Sequence, residues 1–289
     1  MQSLPPDRSF LRVLACLLAL LCLPLFGARS GRISTASAST KHGSAARHAT
    51  NGHKRRYVIV LDPGHGGVMH YGDESGAVSP DGSLLEKVLT LKVALQAATD
   101  LRTMGYAVYL TRTRDRSVNS PPRDWNHDGK INHVDEFNAR TAFANAHHAD
   151  AFVSIHFDGS TDPSMHGTHG YYCPARPFWR SSRRLADLIT HSVATSLSRG
   201  GYADPNNGVQ TDVADVVPQE RADYPWFLVL GPSVRHYVNA SNMPGALIET
   251  LYLSSPRDDS AMHREVLIKA VARGYAVALK DYFHGRTHH

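Results

Sequence analysis

Three side chains that can bind a metal ion follow short apolar runs in this sequence. They are His65, His156 and Glu249. Each apolar run predicts a buried strand, and parallel strands gather ligands beyond their carboxyl ends, at a single edge of the sheet. Because the chain has 18 histidines, any one of them indicates little by itself. The prediction of a site therefore rests on the shared position of these three side chains at strand ends.

These residue types favour metal-assisted hydrolysis. Two neutral imidazoles and one carboxylate leave a fourth position open on a zinc ion, which polarises a carbonyl and lowers the pKa of water toward ~7. A second carboxylate nearby can then accept the proton of that water. Glu86 and Glu249 are the candidate carboxylates. Glu86 also fits a capping box with Ser83, and Glu249 also fits a buried salt bridge, so both structural alternatives stay open at this point.

Residues 124–135 have the ligand spacing of a calcium-binding loop. Oxygen donors stand at positions one, three, five, nine and twelve, with Gly129 at position six for the turn and Ile131 at position eight. The pattern resembles the calcium loops of EF-hand and dockerin proteins. The alternatives are an ordinary Asx/Gly turn and a shell in which Glu136 replaces the short last ligand. The predicted ligands are Asp124, Asn126, Asp128, the carbonyl of Lys130, Asn132 and Asp135.

Apolar periodicity predicts the elements that must hold these side chains in place. Short apolar runs alternate with segments of helical spacing, which favours an α/β fold with a mainly parallel twisted sheet and helices on both faces. We expect a single catalytic domain of this class. Its predicted strands are 57–61, 106–110, 150–155 and 245–249, and its predicted helices are 84–104, 137–147, 178–198 and 262–283. Segment 200–243 has no clear periodicity.

Residues 1–56 differ in composition from the rest of the chain. Basic residues precede an apolar run at 13–26, which is shorter than the roughly 20 residues that a membrane-spanning helix needs. We interpret residues 1–28 as a signal peptide and residues 29–56 as a basic Ser/Ala-rich linker, followed by a catalytic domain at 57–289. The protein is therefore expected to be exported to the periplasm, the cell wall or the extracellular space, without a stable membrane span.

Charge and cysteine content exclude two classes of protein. The 31 lysines and arginines exceed the 26 aspartates and glutamates by 5, which is too small an excess to predict a nucleic-acid partner. Cys173 is the one cysteine outside the predicted signal peptide, so an intrachain disulfide scaffold is excluded and a buried apolar role is expected. Three further histidines, His70, His166 and His169, are expected to be solvated loop residues.

Several of these residues lie in short motifs that occur in the same order in a known family of enzymes. Over most of residues 57–284 the chain resembles the zinc-dependent N-acetylmuramoyl-L-alanine amidases that split bacterial cell-wall septa. The motifs are Asp62-Pro-Gly-His-Gly-Gly67, Glu86-Lys87, Leu110-Thr-Arg-Thr-Arg-Asp115, Arg140 with Ala144-Asn145, Ala149-Asp150, Ser154-Ile-His156 and Ile248-Glu249-Thr250. The ordered set is specific, although each motif alone is not.

The resemblance implies a role for four residues and a reaction. It implies that His65, Glu86 and His156 bind zinc and that Glu249 is the catalytic residue. The implied reaction is cleavage of the amide between N-acetylmuramic acid and L-alanine in peptidoglycan, with an activator protein as a further candidate partner. Two other functions stay open: a zinc peptidase or deacetylase of the cell wall, and a catalytically inactive, calcium-dependent wall-binding protein. The complete set of four residues argues against the inactive protein.

The sequence departs from the family pattern in two places. Phe157 and Asp158 follow the second histidine, where the family usually has a small residue and asparagine. We therefore expect the substrate contacts at the rim of the site, beside His156, to differ from those of the family, and zinc binding to be unchanged. Residues 159–242 match the family poorly apart from 227–230, and in some relatives the corresponding stretch carries a helix that blocks the site.

Overall fold

The computed structural model describes residues 55–69, 72–203, 205–213 and 223–285. The strands in chain order are β1 (Val58–Pro63), β2 (Val68–Met69), β3 (Gly72–Asp73), β4 (Ala107–Leu110), β5 (Ala151–Asp158), β6 (Thr168–Tyr172), β7 (Asn206–Thr211) and β8 (Gly245–Tyr252). The helices are α1 (Glu86–Thr103), α2 (His133–Ala146), α3 (Trp179–Arg199), α4 (Pro256–Met262) and α5 (Glu265–His284). The predicted signal peptide, residues 1–28, lies outside the described residues.

Six of these strands form a mainly parallel sheet with the spatial order β4-β1-β5-β8-β6-β7. Strands β4, β1, β5 and β8 run parallel to one another. Strand β6 is antiparallel to β8, and β7 pairs with β6 in parallel. Strands β2 and β3 form a separate two-stranded ribbon. The predicted α/β fold with a mainly parallel sheet is therefore confirmed.

Period-two alternation in the strands divides the core between the two faces of the sheet. In β1, Ile59 and Leu61 pack with α1, α3 and α5, whereas Val60 between them packs on the opposite face with α2. In β5, Val153 and Phe152 divide in the same way. These five side chains are 0% exposed, and burial of each contributes about 1.5–3 kcal/mol to folding. Helices therefore cover both faces of the sheet, as the sequence predicts.

The start of α1 decides between the two interpretations of Glu86. The helix begins at Glu86, its N-cap is Leu85, and no side chain caps its first turn. The hydroxyl of Ser83 donates instead to the carboxylate of Asp81 at 2.6 Å. The capping-box alternative is therefore wrong, and the carboxylate of Glu86 is turned toward other partners.

The start of α2 uses two residues that the sequence assigns to calcium. The helix begins at His133 and not at the predicted residue 137. The side chain of Asn132 accepts the backbone N–H of Val134, and the carboxylate of Asp135 accepts the backbone N–H of Asn132. This reciprocal pair is a capping box, which stabilises the first turn by satisfying its exposed amides. The predicted start was wrong because the capping signal precedes the apolar periodicity.

The sequence pattern predicts neither β6 nor β7. Strand β6 begins with Thr168, His169 and Gly170 before its two tyrosines, and β7 is polar, with no buried residue, along the sheet edge. The segment 168–172 is a strand because it pairs with β8, and local periodicity does not reveal such a tertiary contact. As a consequence, the expectation that His169 is a solvated loop residue is wrong.

The last two residues of the predicted linker contact the folded region. Arg55 donates to the carboxylate of Asp150 at 2.6 Å, and Arg56 donates to the backbone carbonyl oxygens of Gly105 and Tyr106. The earlier part of the linker lies outside the described residues. Within the part of the chain that is described, no helix is long and apolar enough to cross a membrane.

Candidate metal centre

Three side chains from different elements meet at the carboxyl edge of the sheet. His65 follows β1, Glu86 opens α1, and His156 lies near the end of β5. Glu86 Oε2 is 3.1 Å from His65 Nε2, and Glu86 Oε1 is 2.9 Å from His156 Nδ1. Among the described residues, this is the one group of three or more His, Cys, Asp or Glu side chains with ligand atoms within 4.8 Å of one another. We refer to these three residues as the candidate ligand group.

The donor set of this group fits a zinc ion. Two imidazole nitrogens and one carboxylate are typical ligands of catalytic zinc, whereas calcium and magnesium prefer oxygen alone. Glu86 contacts the two histidines through different carboxylate oxygens, and one ligand atom from each of the three residues lies within 4.8 Å of the others. Three protein ligands also leave one position for water or substrate.

Two glycines allow the ligand side chains to approach. A Cβ atom at Gly64 would lie 2.3 Å from His156 Cε1, and one at Gly76 would lie 2.3 Å from Glu86 Oε2. Gly76 also has a φ of +70°, a conformation that glycine adopts at little cost. His65 itself has a φ of 58°, so its backbone must be held by surrounding contacts.

A buried ion-pair network supplies those contacts. Arg140 of α2 donates to Asp62 Oδ1 at 2.8 Å and to the backbone carbonyl oxygen of His65 at 2.9 Å. Burial alone would raise the pKa of Asp62, but Arg140 and the hydroxyls of Thr111 and Ser154 hold that pKa below its usual value. Removing one partner of a buried pair costs about 3–5 kcal/mol. Arg140 therefore ties the backbone of His65 firmly to α2.

The carboxylate of Glu86 dominates the electrostatics of the candidate ligand group. Burial would raise the pKa of Glu86, but the two imidazoles hold it well below its usual value. Burial opposes protonation of His65, yet Glu86 and Glu74 together raise the pKa of His65 to about 9. Burial lowers the pKa of His156. The buried negative charge of Glu86 therefore favours a positive charge beside it, which a bound metal ion would also supply.

Sequence reasoning missed the contacts that orient the candidate ligand group. Glu74 Oε2 lies 3.5 Å from His65 Nδ1. The carboxylate of Glu86 accepts the backbone N–H of Ala77 at 2.7 Å and that of Phe157 at 3.0 Å. Such outer contacts set the orientation of metal ligands. No periodic signal marks Glu74, because it lies in the loop between β3 and α1, outside any helix or strand repeat.

Glu249 lies beside the candidate ligand group without belonging to it. It is the register neighbour of His156 across the parallel pair β5–β8, so the two side chains project from the same face of the sheet. Its carboxylate is not among the atoms that cluster within 4.8 Å. The three predicted strand ends therefore do converge at one edge, with Glu86 as the third member of the cluster in place of Glu249.

The predicted calcium loop folds as a turn braced by backbone hydrogen bonds. The carboxylates of Asp124 and Asp135 accept N–H bonds whose donors are Asp128, Gly129, Trp125, Asn126 and Asn132. Within the ranges that the structure describes, the loop carboxylates form no group of three with ligand atoms within 4.8 Å. The calcium shell therefore stays a prediction that rests on residue types and spacing.

Glu136, the alternative last ligand of that loop, serves another purpose. Its carboxylate is buried and accepts hydrogen bonds from Ser117, Val118, Asn119 and Arg140. A carboxylate has about four acceptor positions, and these bonds occupy them. The alternative in which Glu136 binds calcium is therefore wrong.

The three further histidines and Cys173 lie in different parts of the chain. His70 lies outside the described residues, His166 lies in the loop before β6, and His169 is 2% exposed within β6. Cys173 is buried as predicted, and burial raises the pKa of its thiol to about 12. Cys173 is therefore unreactive at neutral pH.

Similarity to known proteins extends over most of the folded region. The sequence model of the family described as N-acetylmuramoyl-L-alanine amidase matches residues 59–281. The chain is 30% identical over 252 residues to N-acetylmuramoyl-L-alanine amidase AmiC of Neisseria meningitidis serogroup B, covering 79% of this chain and 53% of AmiC. It is 26% identical over 264 residues to AmiA of Escherichia coli, covering 81% of this chain and 82% of AmiA. The chain thus spans about half the length of AmiC.

One solved structure illustrates the likeness of fold. The CwlD amidase from Clostridioides difficile, solved in complex with the GerS lipoprotein, matches with a TM-score of 0.60 and 20% identity. The match covers 80% of this chain and 100% of CwlD. At this level of identity the likeness shows a shared fold.

Proposed function

The chain belongs to the N-acetylmuramoyl-L-alanine amidase family, and from this premise we propose that it hydrolyses the amide bond between N-acetylmuramic acid and L-alanine in bacterial peptidoglycan. We further propose that the reaction depends on a zinc ion bound by His65, Glu86 and His156. In this proposal Glu249 is the catalytic base.

The observation that carries the proposal is the convergence of four side chains at one sheet edge. The candidate ligand group offers two nitrogens and one carboxylate oxygen, with the ligand atoms within 4.8 Å of one another. Glu249 lies next to His156 on the adjacent strand. Hydrolysis needs both parts, because the metal ion activates the carbonyl and a separate base must accept a proton.

Each residue has a distinct part in the proposed reaction. When bound, zinc supplies Lewis acidity that polarises the scissile carbonyl and makes water more acidic. Glu249 accepts a proton from the attacking water and returns it to the alanine nitrogen as the C–N bond breaks. Arg140 holds His65 in place through the backbone carbonyl oxygen. Glu74 orients the imidazole of His65 from its other nitrogen.

Digestion of purified peptidoglycan by the full chain tests the proposed reaction. The expected products are glycan strands with a free carboxyl group on N-acetylmuramic acid and stem peptides whose N-terminal L-alanine has a free amino group. Chromatography with mass spectrometry identifies them, and elemental analysis measures zinc in the same preparation. Cleavage within the stem would favour a zinc peptidase, released acetate would favour a deacetylase, and binding without products would favour an inactive wall-binding protein.

We propose that the 124–135 loop binds calcium, because its predicted donors are all oxygen atoms. Carboxylate, amide and carbonyl oxygens are the donors that calcium prefers. The loop leads directly into α2, so calcium would stabilise the start of this helix. Arg140 of α2 contacts His65, so this stabilisation would support the site without calcium taking part in the reaction.

Calcium is expected to raise the melting temperature of the wild-type protein, and Asp128→Ala is expected to abolish that rise. A ligand that binds only the folded state stabilises it by about 2.7 kcal/mol at a hundredfold excess over its dissociation constant. Calorimetry with added calcium or with a calcium-selective chelator, at constant zinc, measures the effect. Zinc content should not change, because Asp128 lies outside the candidate ligand group.

Asp162→Ala is the matched control for the calcium prediction. Asp162 is an exposed loop residue that accepts the backbone N–H of Ser164, much as the loop aspartates accept amides. The control should keep the calcium-dependent rise. If calcium shifts neither the melting temperature nor the protease resistance of the wild type, the loop is only a turn.

Domain organisation, export and a protein partner belong to the same proposal. Residues 1–28 direct export, residues 29–56 form a linker, and residues 57–289 form the catalytic domain, which acts in the periplasm, the cell wall or the extracellular space. The CwlD amidase was solved with the GerS lipoprotein, and by analogy we propose an activator protein for this chain.

A further inference from the structure

Three polar side chains form a row across the neighbouring strands β5, β8 and β6. Glu249 of β8 is the register partner of His156 in β5 on one side and of His169 in β6 on the other. Register partners project from the same face, and neighbouring strands lie about 4.8 Å apart. His169 therefore flanks Glu249 on the side opposite His156.

His169 also reaches the rim of the site. Its side chain is 2% exposed, and its Nε2 atom lies 3.1 Å from the hydroxyl oxygen of Tyr171 and 3.4 Å from Asp158 Oδ2. The ring of Tyr252 packs against the imidazole at a centroid distance of 5.6 Å. Aromatic packing and two polar contacts thus determine the orientation of this imidazole.

Asp158 supplies the carboxylate that His169 contacts. It lies at the end of β5, two positions after His156 and beyond an irregularity in the strand pairing. The backbone N–H of Gly159 donates to its Oδ1 at 2.6 Å, and its Oδ2 faces His169. Its side chain is still 23% exposed, so the carboxylate can accept a further hydrogen bond from a bound molecule.

We propose that His169 is a positioning residue that fixes the carboxylate of Asp158 at the rim of the site, where Asp158 accepts an N–H group from the peptide part of the substrate. This inference rests on the proposed function, because that function supplies a substrate with peptide N–H groups. A carboxylate is an acceptor only, so it selects such donors. His169 acts through Asp158 and does not itself touch the substrate.

Binding of a synthetic muropeptide to the Glu249→Gln variant tests the inference without turnover. Loss of a hydrogen bond to a charged group weakens binding about tenfold or more, so His169→Ala and Asp158→Ala in this background should each do so by calorimetry. The double variant should bind no more weakly than Asp158→Ala alone, because the two residues act as one unit. His169→Gln, which keeps a donor, should restore most of the affinity.

Kinetics with active protein separate positioning from a structural role. In the wild-type background His169→Ala should raise KM by about tenfold and change kcat little, the pattern of lost substrate binding. Thr168→Val is the matched control, because it removes a buried hydrogen bond to the Thr250 carbonyl oxygen from the adjacent position of β6. It should lower the melting temperature and leave KM unchanged.

The outcomes distinguish this inference from the proposed function. If the wild type releases no amidase products but muropeptide binding still depends on His169 and Asp158, the proposed reaction fails and the inference stands. Hydrolysis with unchanged binding and KM in His169→Ala would overturn the inference alone. Additive losses in the double variant, or no measurable muropeptide binding, would also overturn it.

Discussion

Replacing Glu249 by glutamine is expected to lower kcat for peptidoglycan hydrolysis by about 10²-fold or more while bound zinc stays near stoichiometric. Glutamine has nearly the size of glutamate, but its amide does not accept a proton from water. Zinc should remain because Glu249 lies outside the candidate ligand group. KM should change little, since the lost interaction belongs to the transition state. Product release and elemental analysis measure the two effects.

Glu265→Gln is the matched control for this prediction. Glu265 opens α5 and pairs with Lys92 at 2.5 Å, with more than half of its side chain exposed. Removing this surface carboxylate should change neither turnover nor zinc content, because exposed pairs contribute little. Loss of zinc in Glu249→Gln would instead make Glu249 a metal ligand, and full turnover would assign the base to another residue.

Alanine at His65 or His156 is expected to abolish both zinc binding and hydrolysis. Either change leaves two protein ligands, fewer than the three that catalytic zinc sites use. The side chain of His65 is 26% exposed, against 15% for His156, so His65→Ala disturbs the core less. Glu86 is a less specific target, because its carboxylate also accepts backbone N–H bonds from Ala77 and Phe157.

His191→Ala on the exposed surface of α3 is the control for the histidine variants. Chelator-treated wild type gives the zinc-free rate, and added zinc should restore the wild type but neither ligand variant. Circular dichroism checks that each variant is folded. Full activity of His65→Ala or His156→Ala would show that the metal assignment is wrong.

The positions of the helix starts could not be predicted reliably from periodicity alone. The spacing of Ser83 and Glu86 is typical of a capping box, yet α1 begins at Glu86 and its carboxylate contacts two histidines, one in the loop after β1 and one in β5. Asn132 and Asp135, which the sequence predicts as calcium ligands, also form the capping box of α2. At α1 the long-range contacts of Glu86 decide its role, whereas at α2 the capping box forms between residues that are close in sequence.

By itself, the sequence determined the α/β class and the candidate site residues at strand ends. Apolar periodicity and the position of His65, His156 and Glu249 after strands are local properties, so they can be read along the chain. The family resemblance already implied that Glu86 joins the histidines, but only the tertiary structure decided that Glu74 contacts His65 and that His169 lies beside Glu249. These relations depend on strand order and register, which bring residues distant in sequence into contact. Local patterns do not encode that pairing, because it is set by packing between whole elements.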